Sequence, residues 1–242
     1  MSLEISLGNF YGIDSMLEIG IIIVSLIISY QSRKIYKLIQ EKRYNFFAWA
    51  FLSVAISFVF KIISNLTIVH RFYIQNVNFV AVIAREFQEM QIIQFFSFIL
   101  YKVLFITGLL TLFFITTKTE DKEKIFLYIY FGIIAIFLSI YVNFIFHLTV
   151  AIILLFLTEY FYHNYKKFKT RNSYLVFLAF LVITISQILF IFSDLNPFIY
   201  LLDEILLLSG FIIFLINQFL IKDEKKNKIR SHKRFFAGFK RR

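Results

Sequence analysis

Long apolar stretches alternate with short polar segments along this chain, and seven of the stretches have the length of a membrane-spanning helix. A hydrocarbon core about 30 Å thick requires roughly 20 apolar residues at a rise of 1.5 Å per residue. The predicted spans are residues 13–32, 46–69, 92–117, 125–141, 144–163, 174–193 and 198–221. The pattern predicts an all-α integral membrane protein with seven transmembrane helices.

Two segments need a separate interpretation. Residues 125–160 form one nearly unbroken apolar run, which at about 54 Å is too long for a single crossing. We therefore divide it near Asn143 into spans four and five. Residues 66–91 combine mixed charge with some apolar positions, and this pattern predicts a short interfacial helix outside the membrane.

The composition agrees with a lipid environment. The chain is 60% hydrophobic and 17% charged, whereas a soluble domain has about 45–50% apolar and about 25% charged residues. Cysteine is absent, which excludes disulfides and cysteine-ligated metal clusters, and no cofactor is predicted. Residues 1–15 are polar and acidic rather than basic, so we expect span one to act as its own insertion signal.

The basic residues predict the orientation. If the N-terminus is outside, 22 of the 26 lysines and arginines fall in inner segments, while the outer segments hold Arg71 and Arg85. This asymmetry is the positive-inside rule. It predicts a multi-pass protein of the cell membrane with its N-terminus outside and its C-terminus inside. The net charge of +11 is thereby explained without a nucleic-acid partner.

The last segment, residues 222–242, is predicted to be a basic cytoplasmic tail behind a single transmembrane domain, residues 1–221. Basic residues next to phenylalanines suit an anionic inner leaflet, at about 1 kcal/mol per basic residue near the surface. The predicted membrane-surface residues are Lys225, Lys226, Lys228, Arg230, Lys233, Arg234, Lys240, Arg241 and Arg242.

The sequence also contains an internal repeat. A shift of 129 positions places Ala50–Leu66 over Ala179–Leu195 with eight of seventeen residues identical, and it overlays span one on span five. A shift of 102 aligns Gly108 with Gly210. We therefore predict a 3+1+3 parallel internal repeat: repeat one at 13–117, a linker helix at 125–141 and repeat two at 144–221. Copies of like orientation are related by an axis along the membrane normal.

This plan resembles the topology of sugar-permeating seven-helix transporters and of microbial rhodopsins. The resemblance covers topology alone. Residues 198–221 contain no lysine that would form a retinal Schiff base, and Pro197 is the only proline of the chain. No functional residue of either family is transferred to this sequence.

Ionisable residues inside the predicted spans mark a candidate site. Such residues cost roughly 2.5–3.5 kcal/mol each on insertion scales. Five helices place one of them about 22–27 Å from their inner ends, in the outer third of the membrane. These positions predict an outward-facing polar site that binds a small polar or charged solute. The candidate ligand-binding residues are Glu18, Lys61, Lys102, His147, Asp203 and Glu204.

Two alternatives to this polar site and one narrower form of it remain open. The lysines can extend towards the outer headgroups, because these are only about 5–8 Å away. Lys102 and Glu204 can pair with each other and hold the two repeats together. Glu18, His147 and Glu204 can form a histidine–carboxylate metal site, a narrower form of the ligand-binding hypothesis.

No catalytic motif accompanies these residues: HExxH, GxSxG and phosphate-binding glycine loops are absent, so we do not expect an enzyme. Broken helices of transporters are rich in glycine and proline, whereas this chain has 7 Gly and 1 Pro. The sequence therefore favours a ligand-binding sensor or a partner-coupling module, which signals through a homo-oligomer or a separate membrane partner. The alternative is a transporter or channel for a small solute or ion.

Overall fold

The computed structural model describes residues 13–75, 83–117, 121–193 and 196–239. Side chains are described in these ranges except at 67–75, 83–90, 122, 124, 197 and 222–239. The helices are α1 (Ile13–Ile39), α2 (Lys42–Gln75), α3 (Ile83–Thr117), α4 (Lys122–Leu138), α5 (Phe144–Phe168), α6 (Arg171–Ile191) and α7 (Pro197–Phe239).

The protein is all-helical and membrane-embedded, as the hydropathy pattern predicts. Among the described helices, six are long and apolar enough to cross a bilayer. The apolar part of α4, Ile125–Leu138, is shorter than the others. The long apolar run breaks beside Asn143, as expected, because α4 ends at Leu138 and α5 begins at Phe144.

The described residues of the segment 66–91 contain no separate interfacial helix, and its residues 76–82 lie outside the described ranges. Helix α2 continues to Gln75 and α3 already begins at Ile83, so the described parts of this segment prolong the two spans. The membrane-spanning parts, Lys42–Leu66 and Gln91–Thr117, agree closely with the predicted spans 46–69 and 92–117, because hydropathy marks only the apolar part of each longer helix. Helix α7 runs on to Phe239, and its membrane-spanning part, Phe198–Ile221, has the bounds predicted for span seven.

Two of the helical hairpins close through very short turns. Gln40 (φ 57°) and Lys169 (φ 49°) adopt the left-handed conformation that ends a helix, and their amides donate to Tyr36 O and Tyr165 O. Thr170 then caps α6, because its hydroxyl accepts a hydrogen bond from the Ser173 amide at 3.3 Å. The short turns make α1 and α2, and α5 and α6, antiparallel neighbours.

The helices pack in two consecutive groups. Helices α1, α2 and α3 pack side by side, as do α5, α6 and α7, and the groups meet where α1 contacts α7 and α3 contacts α5. Between the groups lies an aromatic layer that we call the phenylalanine layer: Phe51, Phe58, Phe211 and Phe214. Its ring centroids are 5.0 Å apart for Phe51 and Phe214, and 6.5 Å apart for Phe58 and Phe211.

Two glycines allow close approach of neighbouring helices. A Cβ added at Gly108 of α3 would lie 2.9 Å from both Ala50 O and Val54 Cγ2 of α2. A Cβ added at Gly210 of α7 would collide with Ile183 Cγ1 and lie 3.1 Å from Ala179 O, both on α6. Since a backbone oxygen cannot move aside like the tip of a side chain, both contacts require glycine.

Candidate functional site

The ammonium group of Lys61 joins two carboxylates from different helices. Its Nζ lies 3.0 Å from Glu18 Oε1 of α1 and forms a second ion pair with Glu204 Oε1 of α7. Glu18 and Glu204 are 0% exposed and Lys61 is 9% exposed. The three side chains therefore link α1, α2 and α7 inside the protein.

Helical spacing explains why these charges face inwards. Glu18 belongs to a buried stripe of α1 that continues through Ile21, Ser25 and Ile28. Glu204 heads an equivalent stripe of α7 that continues through Leu207, Phe211 and Phe214. Steps of three and four residues place each stripe on one face of its helix. The carboxylates are buried because the apolar residues below them on the same face pack in the core.

Polar and aromatic groups complete the surroundings of Lys61. The Asn65 amide, one turn further along α2, donates to Glu18 Oε1 at 3.0 Å. The Lys61 Nζ lies 5.4 Å from the ring centroid of Phe58 and 5.9 Å from that of Tyr101. Aromatic faces at these distances attract an ammonium group. The lysine is thus held by carboxylates and by ring faces.

A third carboxyl group lies beside this ion pair. Asp203 precedes Glu204 in α7, is 0% exposed and accepts a hydrogen bond from the Ser186 hydroxyl at 2.6 Å. In the described part of the chain, Glu18 Oε2, Asp203 Oδ2 and Glu204 Oε2 are buried without a hydrogen-bond partner. We call Glu18, Lys61, Asp203 and Glu204 the carboxylate cluster. It holds three carboxyl groups and one lysine.

Lys102 lies in a different environment. Its Nζ donates to Asn143 Oδ1 at 2.8 Å and to Ser139 O at 3.3 Å, where α4 turns into α5, and it sits 3.6 Å from the ring centroid of Phe98. The alternative of a Lys102–Glu204 pair is wrong, because Glu204 pairs with Lys61. Extension to the headgroups describes neither lysine, since both ammonium groups are bonded inside the protein.

His147 is also set apart from the carboxylates. Its Nδ1 is hydrogen-bonded to Gln187 Oε1 at 3.0 Å, and its ring stacks on Phe190 with 3.6 Å between the centroids. Among the residues whose side chains are described, no group of three histidine, aspartate or glutamate side chains is arranged to hold a metal ion. The metal-site alternative with Glu18, His147 and Glu204 therefore has no structural support.

The structure thus brings together four of the six predicted ligand-binding residues, Glu18, Lys61, Asp203 and Glu204, and separates Lys102 and His147 from them. The sequence reasoning missed Asn65, Tyr101 and Ser186. The sequence held a signal for two of these three: Asn65 lies four residues from Lys61, and Ser186 is one of the identities in the repeat. The side chains of the predicted membrane-surface residues up to Arg234 lie outside the described residues, as do residues 240–242 entirely.

Comparison with known proteins identifies no relative of this chain. The chain matches no protein-family model, no curated protein and no solved structure. A functional conclusion must therefore rest on the charges and the geometry of the carboxylate cluster.

Proposed function

We propose that this is a seven-span cell-membrane protein that binds a proton in the carboxylate cluster and acts as a sensor or partner-coupling module. One observation carries the proposal: Lys61 is shared by two fully buried glutamates, and a third buried carboxyl group, Asp203, lies beside them.

The charge balance favours uptake of a cation. Removing an ion from water costs several kcal/mol even after relaxation, and an opposite charge must compensate this cost. Lys61 compensates one of the three carboxylates. The surplus negative charge, together with the unpartnered oxygens of Glu18, Asp203 and Glu204, makes the cluster an acceptor of positive charge.

Burial favours the proton among small cations. Glu18, Asp203 and Glu204 are all 0% exposed, so a solute would need a vestibule, whereas a proton needs only a carboxylate oxygen. Three further titratable groups act electrostatically on the cluster: Asp14 on α1, Tyr101 on α3 and Tyr200 on α7. Lys61 also acts electrostatically on His147 of α5.

The topology we propose is N-terminus outside and C-terminus inside, with α4 as the seventh span. The apolar part of α4, Ile125–Leu138, is about 21 Å long at 1.5 Å per residue, so as a span it would require a locally thinned bilayer. The basic residues at the turns after α1, α3 and α5 support this orientation. It places the carboxylate cluster in the outer half of the bundle and the basic tail, residues 222–242, at the inner leaflet.

Matching contacts in the two groups of helices support the predicted repeat. Gly108 packs on Ala50 and Val54, and its counterpart Gly210 packs on Ala179 and Ile183, the residues 129 positions further along. The Glu18–Lys61 pair corresponds in the same way to the stacked pair His147–Phe190. Repeat two thus has an uncharged contact where repeat one has an ion pair.

Protonation would act on helix packing. Glu18 and Glu204 belong to α1 and α7, which meet at the boundary between the two repeats, and Lys61 holds both. Neutralising one carboxylate weakens one of these ion pairs and changes the balance between the two groups of helices. A second copy of the chain or a separate membrane partner would respond to that change.

Thermal unfolding of the purified protein in detergent at several pH values tests the proposal. We expect the folded cluster to bind a proton that the unfolded chain releases. The free energy of unfolding should then rise as the pH falls from about 8 to about 5. The double variant Asp203→Asn/Glu204→Gln keeps a balanced Glu18–Lys61 pair and should show a flatter dependence.

Glu159→Gln is the matched control, because the Glu159 side chain is 65% exposed and lies outside the cluster. It should keep the wild-type pH dependence. A double variant with the same pH dependence as the wild type would contradict proton binding at the cluster.

A further inference from the structure

An apolar groove runs between α3 and α4. Its volume is about 530 Å³, and its lining on α3 extends from Ile99 to Phe114, about 22 Å at 1.5 Å per residue. The groove is therefore elongated and follows the helix axes. We call it the α3–α4 groove; its lining includes Ile99, Val103, Thr107, Ile133, Phe137 and Ile140.

The α3–α4 groove is open towards the surroundings of the bundle. Val103 is 37%, Ile133 48% and Phe137 65% exposed. In the proposed topology these residues lie within two spans, so the groove faces the acyl chains of the bilayer. A second apolar groove of about 320 Å³ lies on the other side of α4, against α3 and α5. A lipid chain can thus enter beside α4 without any opening of the bundle.

The lining of the α3–α4 groove favours a hydrocarbon chain as its occupant. Apart from Thr107 and Thr111, the residues that line it are apolar. Both threonine hydroxyls donate to carbonyl oxygens of their own helix, Val103 O and Thr107 O, at 2.7 Å. The lining therefore directs no side-chain donor at an occupant and stabilises it through the burial of apolar surface.

A buried cation lies at one end of the groove. Lys102 directly precedes the lining residue Val103 on α3. Its Nζ donates to Ser139 O, and Ser139 directly precedes the lining residue Ile140. The partners of this ammonium group in the described chain, Ser139 O and Asn143 Oδ1, are neutral, and no described carboxylate acts on it. A buried charge is costly without an opposite charge, so this end of the groove attracts an anion.

Asn143 extends this positive charge to the surface. Its Oδ1 accepts a hydrogen bond from Lys102 Nζ at 2.8 Å, so the NH₂ group of the same amide is the part that can donate to a ligand. The Asn143 residue is exposed. Because a hydrogen bond from an ammonium group polarises the amide, its N–H groups become stronger donors. The amide can bind a phosphate oxygen outside the bundle while Lys102 stays buried.

The α4–α5 connection, residues 139–143, lies where lipid headgroups are expected. The apolar part of α4, Ile125–Leu138, is about 21 Å long, so the headgroups approach this connection where the bilayer thins around α4. Tyr141 of the connection is 88% exposed, and tyrosine is enriched at membrane–water interfaces. The headgroup level and the end of the groove thus coincide.

We propose that the α3–α4 groove binds an anionic phospholipid. One acyl chain lies between α3 and α4, and the phosphate lies at the α4–α5 connection, where it accepts a hydrogen bond from the Asn143 amide and compensates the charge of Lys102. This inference goes beyond the proposed function. It uses α4 as a span but involves neither the carboxylate cluster nor its proton.

Contact quenching of a single tryptophan by brominated lipids tests this site. The background variant Trp49→Phe removes the only tryptophan of the chain. Phe137→Trp then places a reporter in the groove. Phe198→Trp, at a position that is 63% exposed and outside the groove lining, is the matched control reporter. Each protein is reconstituted into phosphatidylcholine vesicles that contain increasing fractions of phosphatidylglycerol or phosphatidylcholine brominated on the acyl chain.

The groove reporter should be quenched by brominated phosphatidylglycerol at an about fivefold lower mole fraction than by brominated phosphatidylcholine. This factor corresponds to about 1 kcal/mol, the contribution of one basic residue near a membrane surface. The control reporter should respond equally to both lipids. Lys102→Met, combined with the groove reporter, should remove the preference. Asn143→Leu, at an exposed position, should have the same effect and replaces Lys102→Met if that variant does not fold.

Three results would overturn the proposal. The two lipids quench the groove reporter equally, or the preference for phosphatidylglycerol survives Lys102→Met, or neither lipid quenches the groove reporter while both quench the control. In the last case a second copy of the chain or another protein covers the groove. None of these results affects the pH dependence expected of the carboxylate cluster, so the failure of this inference is distinguishable from a failure of the proposed function.

Discussion

At the scale of single residues, the charge balance of the bundle depends on Lys61. The two lysines inside the spans have opposite surroundings: Lys61 contacts two buried carboxylates, while the hydrogen-bond partners of Lys102 are the neutral groups Asn143 Oδ1 and Ser139 O. Removing a partner from a buried ion pair leaves an uncompensated charge, whereas removing an isolated buried charge leaves none. The same substitution at the two positions therefore has different consequences.

Lys61→Met should destabilise the protein by about 3–5 kcal/mol at neutral pH, because Glu18 and Glu204 remain buried without their cation. The loss should shrink as the pH falls, since protonation neutralises the carboxylates. Chemical denaturation in detergent at two pH values measures both effects. Lys102→Met is the control and should cost clearly less stability than Lys61→Met, because it leaves no buried charge without a partner. Equal losses for the two variants would show that Lys61 does not balance the carboxylates.

At the scale of helices, the contacts of Gly108 and Gly210 set the spacing within each group. Each glycine faces a backbone oxygen of the neighbouring helix, Ala50 O or Ala179 O. Gly132 of α4 differs, because a Cβ there would meet only side-chain atoms, the nearest being Ile106 Cγ2 at 3.2 Å. Helix α4 is thus less closely fitted to α3 than α2 is.

Gly108→Ala and Gly210→Ala should each destabilise the protein, because overpacking costs about 1–3 kcal/mol while alanine returns only about 1 kcal/mol of helix propensity. Similar losses at both positions are expected if the groups are copies of one unit. Thermal unfolding of the single variants measures them. Gly132→Ala should leave stability unchanged or raise it. If Gly108→Ala lowers the stability and Gly210→Ala does not, equivalent packing in the two repeats is contradicted.

At the scale of the whole molecule, hydropathy predicted the helices well because a lipid-exposed backbone must satisfy its hydrogen bonds within the helix. It predicted the spans in α2 and α3 but not that these helices continue to Gln75 and back to Ile83, since the sequence there carries no membrane signal. Depth along a helix also follows from sequence, and Glu18, Lys61 and Glu204 meet as that depth predicts.

The sequence did not predict how each helix is rotated about its own axis, and therefore which neighbour each polar side chain faces. Glu18, Lys102 and His147 have similar predicted depths, but Lys102 turns towards the α4–α5 connection and His147 towards Gln187 and Phe190. Nearly every face of the spans is apolar, so the sequence does not show which face is buried. Packing against the neighbouring helices decides these directions. The choice of Lys61 over Lys102 as the partner of Glu204 could therefore be made only from coordinates.

The most direct measurement of the central claim is an infrared difference spectrum of the protein between high and low pH. A protonated carboxylic acid has a C=O stretching band separate from the bands of carboxylates and amides. Because the cluster holds three carboxyl groups against one lysine, a band that grows at mildly acidic pH is expected in the wild type and in Glu159→Gln. It should be lost or clearly reduced in Asp203→Asn/Glu204→Gln. Identical difference spectra for all three proteins would contradict proton binding in the carboxylate cluster.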